Sequence, residues 1–145
     1  MDWKHETIEK LKDYRARRNA LVCISEEITR LKEAAYSLRA VSGDGMPRNT
    51  GLNAQEDRLL SNLVHRQELE RRLTDTQLWL TTMDRALDQL DREDRQILEK
   101  FYIHPGKGNV DRLCEELCIE KSGIYKRKDK ALRRLTIALY GIVES

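Results

Sequence analysis

Apolar residues recur at helical spacing along two long stretches of the chain. They follow one another at intervals of three and four residues from Leu21 to Leu38, and again from Leu69 to Leu90 with a single interruption. This spacing places them on one face of an α-helix, whereas a strand alternates with a period of two. The pattern therefore predicts two long helices, each with one continuous apolar seam.

Residues that interrupt helices cluster at two places, around Pro47 and around Pro105. The chain contains twenty leucines against five valines and one phenylalanine. Straight-chain apolar residues favour helices, whereas strands recruit β-branched and aromatic ones. We therefore predict an all-α fold. The predicted helical blocks are about 2–42, 52–104 and 109–140.

The two apolar seams predict that the long helices pair. A helix of about 36 residues is about 54 Å long and cannot bury such a seam alone. A reversal within Val41–Leu52 would close the helices into a long antiparallel, coiled-coil-like hairpin, which we favour. The alternative remains that the same seams join two chains instead. A bare hairpin also leaves apolar surface exposed, through which it could form a homodimer.

The second long helix is predicted to break near Leu90. Asp91 is an N-cap candidate for a new helix, and the acidic residues that follow it suit the positive end of the helix dipole. A compact C-terminal unit of three helices would begin there. The predicted domains are residues 1–90, the helical hairpin, and residues 91–145, the C-terminal unit.

The net charge of +2 hides an uneven distribution along the chain. Residues 1–90 carry fifteen basic and fifteen acidic side chains, whereas residues 121–134 carry seven basic side chains against Asp129 alone. Such a local positive field attracts a polyanion. On charge alone, a solvated helix face is an equal alternative.

The segment 109–128 has the pattern of a helix-turn-helix. Asn109 can cap a short first helix, and a second helix begins near Lys121. Its slots for buried residues are filled by Val110, Leu113, Cys114, Leu117, Ile119 and Ile124. Cys118 stands where such turns usually have glycine, which predicts either a strained left-handed residue or a different turn. Gly123 either lets the backbone approach DNA or marks a loosely wound first turn.

The second helix of this motif carries the whole basic cluster, which favours a DNA-binding surface over a solvated face. If its apolar residues face the core, its polar residues face the major groove, and cations flank them at the radius of the phosphates. The predicted base-reading residues are Lys121, Ser122, Tyr125 and Lys126. The predicted phosphate contacts are Arg127, Lys128, Lys130, Arg133 and Arg134. About six to eight phosphate contacts would give a log–log salt dependence near −5 to −7.

Residues 90–135 resemble region four of bacterial sigma factors, the helix-turn-helix that binds the −35 promoter element. The resemblance lies in the stretch Leu90–Leu98, in the helix-turn-helix, and most specifically in the closing Lys-Ala-Leu-Arg-Arg-Leu of Lys130–Leu135. By position it implies the same four base-reading residues. Glu120 replaces a capping Ser or Thr, and Tyr125 stands where the family commonly has arginine, so the implied DNA sequence need not be a −35 hexamer.

A helical hairpin followed by such a domain is similar to phage-encoded transcriptional regulators of the RinA and ArpU type. This similarity implies a sequence-specific regulator of double-stranded DNA, an activator of phage or mobile-element origin, whose hairpin sets the oligomeric state or contacts RNA polymerase. One alternative is a phage small-terminase-like packaging subunit that assembles into a ring. Another is a sigma- or polymerase-interacting protein without DNA affinity of its own.

Other function classes find little support in the sequence. There is no glycine-rich phosphate loop, nucleophile elbow or paired metal motif, so we expect neither an enzyme nor a cofactor. Cys114, Cys118 and His104 would supply only three of the four ligands of a closed zinc site, so we expect no metal. The three cysteines, the highly charged composition and the absence of a signal peptide or a long apolar run predict a cytoplasmic protein without membrane contact.

Overall fold

The computed structural model describes residues 2–42 and 49–142, and the side chains of residues 2–40 and 54–142. These residues form five α-helices and no strand, which confirms the all-α prediction. The helices are α1 (Trp3–Ser42), α2 (Asn49–Asp88), α3 (Arg92–Leu98), α4 (Asn109–Leu117) and α5 (Lys121–Tyr140). In this part of the chain, none of the helices has an apolar stretch long enough to cross a membrane.

The helix boundaries agree with the sequence at one break and differ at the other. The predicted break near Leu90 is confirmed, because α2 ends at Asp88 and Asp91 caps α3 by accepting a hydrogen bond from the Asp94 amide at 2.9 Å. The second long helix begins at Asn49, a few residues before the predicted start. The middle of the predicted reversal, residues 43–48, lies outside the described residues.

Residues 19–77 form one compact unit, here called the central unit. Its core contains Ile28, Leu31 and Leu69, with Ile24 and Leu73 packed against them. All five belong to the seams predicted from the sequence, so the periodicity identified the buried face of both helices.

Within the central unit, α1 and α2 run in opposite directions. The side-chain amide of Asn62 donates to the Leu31 carbonyl at 2.8 Å, and that of Gln55 donates to the Leu38 carbonyl at 2.9 Å. Residues closer to the end of α1 therefore contact residues closer to the start of α2, as in an antiparallel pair.

Residues 2–18 and 78–142 form a second compact unit, here called the terminal unit. The contacts group the chain differently from the predicted division into 1–90 and 91–145, because Leu11 of α1 and Met83 of α2 share one core with Leu98 and Leu132. The buried hydroxyls of Thr7 and Thr136 form a hydrogen bond of 2.9 Å. The first turns of α1 are thus fixed against α5 by buried contacts.

A second core in the terminal unit holds α3, α4 and α5 together. Ile97, Leu113 and Ile124 are each completely buried in it. The partly buried residues around them are Phe101, Val110, Cys114, Leu117 and Ile119. The inward-facing positions predicted for the helix-turn-helix pattern are therefore the ones that pack. This core fixes the angle between α4 and α5.

The connection into α4 differs from the prediction. Asn109 is the first residue of α4 and not its cap, because Gly108, with φ of 77°, occupies the capping position. The predicted role of Asn109 is therefore wrong. Its side-chain amide instead donates to the carbonyls of Lys100 and His104, at 3.0 Å each. These bonds fix the end of the π-helical segment Glu99–Ile103, which continues α3.

Candidate nucleic-acid interface

Three residues, 118–120, join α4 to α5 in a tight turn. Cys118 has φ of 55° and ψ of 42°, so the strained left-handed conformation is the one of the two predicted alternatives that occurs. Such a conformation costs a residue with a side chain about 1–2 kcal/mol. The amide of the next residue, Ile119, donates to the Cys114 carbonyl at 3.3 Å, which closes the end of α4.

Gly123 is explained by the packing of this turn. A Cβ atom at position 123 would lie 2.5 Å from Cγ2 of Ile119, closer than real Cβ contacts occur. Ile119 packs against the core of α3, α4 and α5, so a side chain at position 123 would push it out. The two roles predicted for Gly123, close approach to DNA and a loosely wound first turn, did not include this contact. The contact depends on where the turn places Ile119.

The outward face of α5 is a stripe of polar and basic side chains. It consists of Ser122, Lys126, Lys130 and Arg133, all exposed and spaced by four, four and three residues. This basic stripe lies opposite the buried residues Ile124, Ala131 and Leu135. Among the described residues, none lies within ion-pair distance of Lys126, Lys130 or Arg133. Lys121, at the first turn of α5, is likewise exposed and unpaired within that part of the chain.

Two of the five predicted phosphate contacts are neutralised inside the protein. Arg127 lies 2.5 Å from the Glu93 carboxylate and 3.4 Å from that of Asp94. Arg134 lies 2.5 Å from Asp94 and 3.7 Å from Asp91. The side chain of Asp94 is only 1% exposed, so these pairs tie α5 to the first turn of α3. Arg127 and Arg134 are therefore paired with acids of α3, although 58% of the Arg134 side chain remains exposed.

A third predicted phosphate contact, Lys128, lies against aromatic rings. Its ammonium group is 5.3 Å from the ring centre of Phe101 and 5.4 Å from that of Tyr125. The two rings meet edge to face at 5.7 Å. Tyr125, a predicted base-reading residue, is therefore held at one edge of the basic stripe, where 40% of it remains exposed.

Asp129, the acidic residue of α5, is compensated on two sides. Its carboxylate lies 3.6 Å from the ammonium group of Lys128 and 3.7 Å from that of Lys4. Burial raises the pKa of the nearby Tyr102, and the Asp129 carboxylate adds to this effect. Lys4 was missed by the sequence interpretation, since nothing in the local pattern links the first turn of α1 to α5.

The described residues of this site contribute positive charge and an exposed helix face. In the described part of the chain, no three His, Cys, Asp or Glu side chains come together as metal ligands. The feature that stands out is an exposed helix face whose cations have no ion-pair partner among the described residues. A short helix supports it across a three-residue turn. No protein-family model, curated protein or solved structure matches this chain, and the resemblance to sigma region four stays a prediction.

Proposed function

We propose that the protein is a sequence-specific transcriptional regulator that inserts α5 into the major groove of double-stranded DNA. The observation that carries the proposal is the basic stripe, because cations without an ion-pair partner in the described part of the chain, aligned on one helix face, match a polyanion. An α-helix is about 10–12 Å wide with its side chains, and the major groove of B-DNA is about 12 Å wide. The packing of α4 against α5 supports the same docking mode, since it holds the helix at a fixed angle.

The positions along α5 suggest a division of roles. Ser122 and Lys126 lie in its first two turns, at the end that enters the groove in helix-turn-helix proteins. Lys126 has the reach and the donors to bind guanine O6 and N7. Lys130 and Arg133 lie further along the same face and suit the phosphates that flank the groove. Tyr125, at the edge of the stripe, could contact a thymine methyl group.

Ion pairs within the protein reduce the number of cations on α5 that we expect to contact phosphates. Of the cations between residues 121 and 134, only Lys121, Lys126, Lys130 and Arg133 are unpaired among the described residues. Each phosphate contact contributes about −0.9 to the slope of log K against log salt. We therefore expect a slope of about −3 to −4 per protein chain, smaller than the sequence alone suggested.

The proposal is tested by selecting bound duplexes from a random DNA library and titrating two variants on the selected and on random DNA. Lys126→Ala is expected to weaken binding to the selected duplex by about 1–3 kcal/mol and to relax one base position. Arg133→Ala is expected to weaken both duplexes alike, because a phosphate contact carries no sequence information. A matched control is Lys12→Ala, which removes an exposed lysine of α1 that pairs with Glu9.

Two results would contradict the proposal in different ways. If the wild-type protein binds no duplex at low salt, DNA binding itself is refuted. If both variants lose affinity equally on selected and random DNA, Lys126 does not contact a base. Light scattering of the same samples distinguishes a regulator from a packaging subunit. A packaging subunit would form a large cyclic assembly, whereas a regulator would be a monomer or dimer.

A further inference from the structure

Lys4, near the start of α1, lies beside the basic stripe of α5. Its side chain is 46% exposed, and its ammonium group is 3.7 Å from the Asp129 carboxylate. Its position is fixed by packing, since the buried hydroxyls of Thr7 and Thr136 bond at 2.9 Å and the ring centres of Trp3 and Tyr140 lie 4.7 Å apart. Lys4 is therefore held at α5 by its helix and does not belong to a loose tail.

An open cavity of about 400 Å³ lies between the Lys4 side chain and one face of α5. Its lining residues are Lys4, Asp129, Lys130, Arg133 and Thr136. Three of them are cations, while Asp129 is also paired with Lys128 at 3.6 Å. The cavity thus has a net positive lining even after the carboxylate is counted. A tetrahedral phosphate group is small enough to enter it and can accept hydrogen bonds from all three cations.

We infer that Lys4, together with Lys130 and Arg133, binds one phosphate of the DNA backbone. Lys4 exchanges Asp129 for the phosphate, and Lys128 continues to compensate the Asp129 carboxylate. The inference rests on the proposed function and adds to it a contact from the opposite end of the sequence. The DNA-binding surface then includes the first turn of α1 as well as α5, and residues 91–145 alone would lack one of its phosphate contacts.

The test measures the salt dependence of DNA binding for Lys4→Ala, Lys4→Arg and Lys4→Glu, by fluorescence anisotropy with a labelled random duplex. Lys12→Ala is the matched control, because Lys12 is an exposed lysine of the same helix with an ion pair of the same length, 3.7 Å. Lys4→Ala is expected to reduce the magnitude of the log–log slope by about 0.9, the share of one phosphate. We expect Lys4→Arg to have the wild-type slope, Lys4→Glu to have a slope of still smaller magnitude than Lys4→Ala, and Lys12→Ala to leave the slope unchanged.

The outcomes separate this inference from the proposed function. If the wild-type protein binds the duplex with salt dependence while Lys4→Ala keeps the wild-type slope, the Lys4 contact is refuted and the proposed function stands. If the wild-type protein does not bind the duplex, both are refuted. Thermal unfolding of each variant accompanies the titration, and a loss of slope in Lys4→Glu at an unchanged melting temperature supports the contact independently of folding.

Discussion

Replacing Asp94 with asparagine tests whether the ion pairs between α3 and α5 both stabilise the fold and withhold Arg134 from the proposed interface. Asp94 is almost completely buried and lies within ion-pair distance of Arg127 and Arg134. The asparagine would keep the shape of the side chain and remove its charge. The cap of α3 is unaffected, since it uses the backbone amide of residue 94 and the carboxylate of Asp91.

The expected loss of stability follows from the burial of the three groups. Breaking a fully buried ion pair costs about 3–5 kcal/mol, and a hydrogen bond to a charged group contributes about 1.5–3 kcal/mol. Both arginines remain partly in water, with side chains 31% and 58% exposed, and each keeps a second acid, Glu93 or Asp91. We therefore expect a loss of about 2 kcal/mol, less than the cost of breaking a fully buried pair and within the range for one hydrogen bond to a charged group. For a chain of this size, that lowers the melting temperature by roughly 6–10 °C.

The assay combines thermal and urea unfolding with the salt dependence of DNA binding. Asp94→Asn is expected to lose stability and to steepen the log–log slope by up to about 0.9, because Arg134 loses its partner at 2.5 Å and can reach a phosphate, whereas Arg127 keeps Glu93. The control is Asp88→Asn, which breaks an exposed pair with Arg95 at 2.8 Å and should change stability by less than about 1 kcal/mol. If Asp94→Asn is as mild as Asp88→Asn, Asp94 does not hold α3 to α5. If stability falls but the slope stays the same, Asp94 does not withhold Arg134 from the DNA.

Two further predictions concern the turn between α4 and α5, and both are read out by thermal unfolding. Gly123→Ala should destabilise the protein, although alanine normally stabilises a helix by up to about 1 kcal/mol over glycine, because its Cβ would lie 2.5 Å from Ile119. The same change in an Ile119→Ala background should not destabilise, and equal effects in the two backgrounds would argue against the contact. Cys118→Gly should stabilise by about 1 kcal/mol, since glycine adopts φ of 55° without strain, whereas Cys118→Ala should not. A stabilising alanine there would contradict the strain.

Much of the fold follows from local patterns in the sequence. The seam residues Ile28, Leu31 and Leu69 are buried as predicted, because a period of 3.6 residues fixes which side chains share a helix face. The break before Asp91 and the buried positions Leu113 and Ile124 are likewise set by residues close in the chain. These features depend on neighbours within one or two helical turns, which a sequence displays directly.

Whether each cation at the candidate site is free or ion-paired could not be predicted from local sequence patterns. A run of basic residues looks the same whether its charges are free or paired, and the acidic partners of Arg127 and Arg134 lie more than thirty residues earlier, at the start of α3. The contact of Lys4 with Asp129 depends on the packing of both chain ends into one unit. The sequence therefore located the basic helix, while tertiary packing decided which of its side chains remain available.

The central claim, that DNA binds the outward face of α5, is tested most directly by titrating isotope-labelled protein with a selected duplex and following backbone amide resonances. We predict that the largest shifts occur at Ser122, Lys126 and Lys130, and at the turn before them. Core residues of the central unit, such as Ile28 and Leu69, should shift little. Large shifts confined to the central unit, with α5 unchanged at saturating DNA, would contradict the claim.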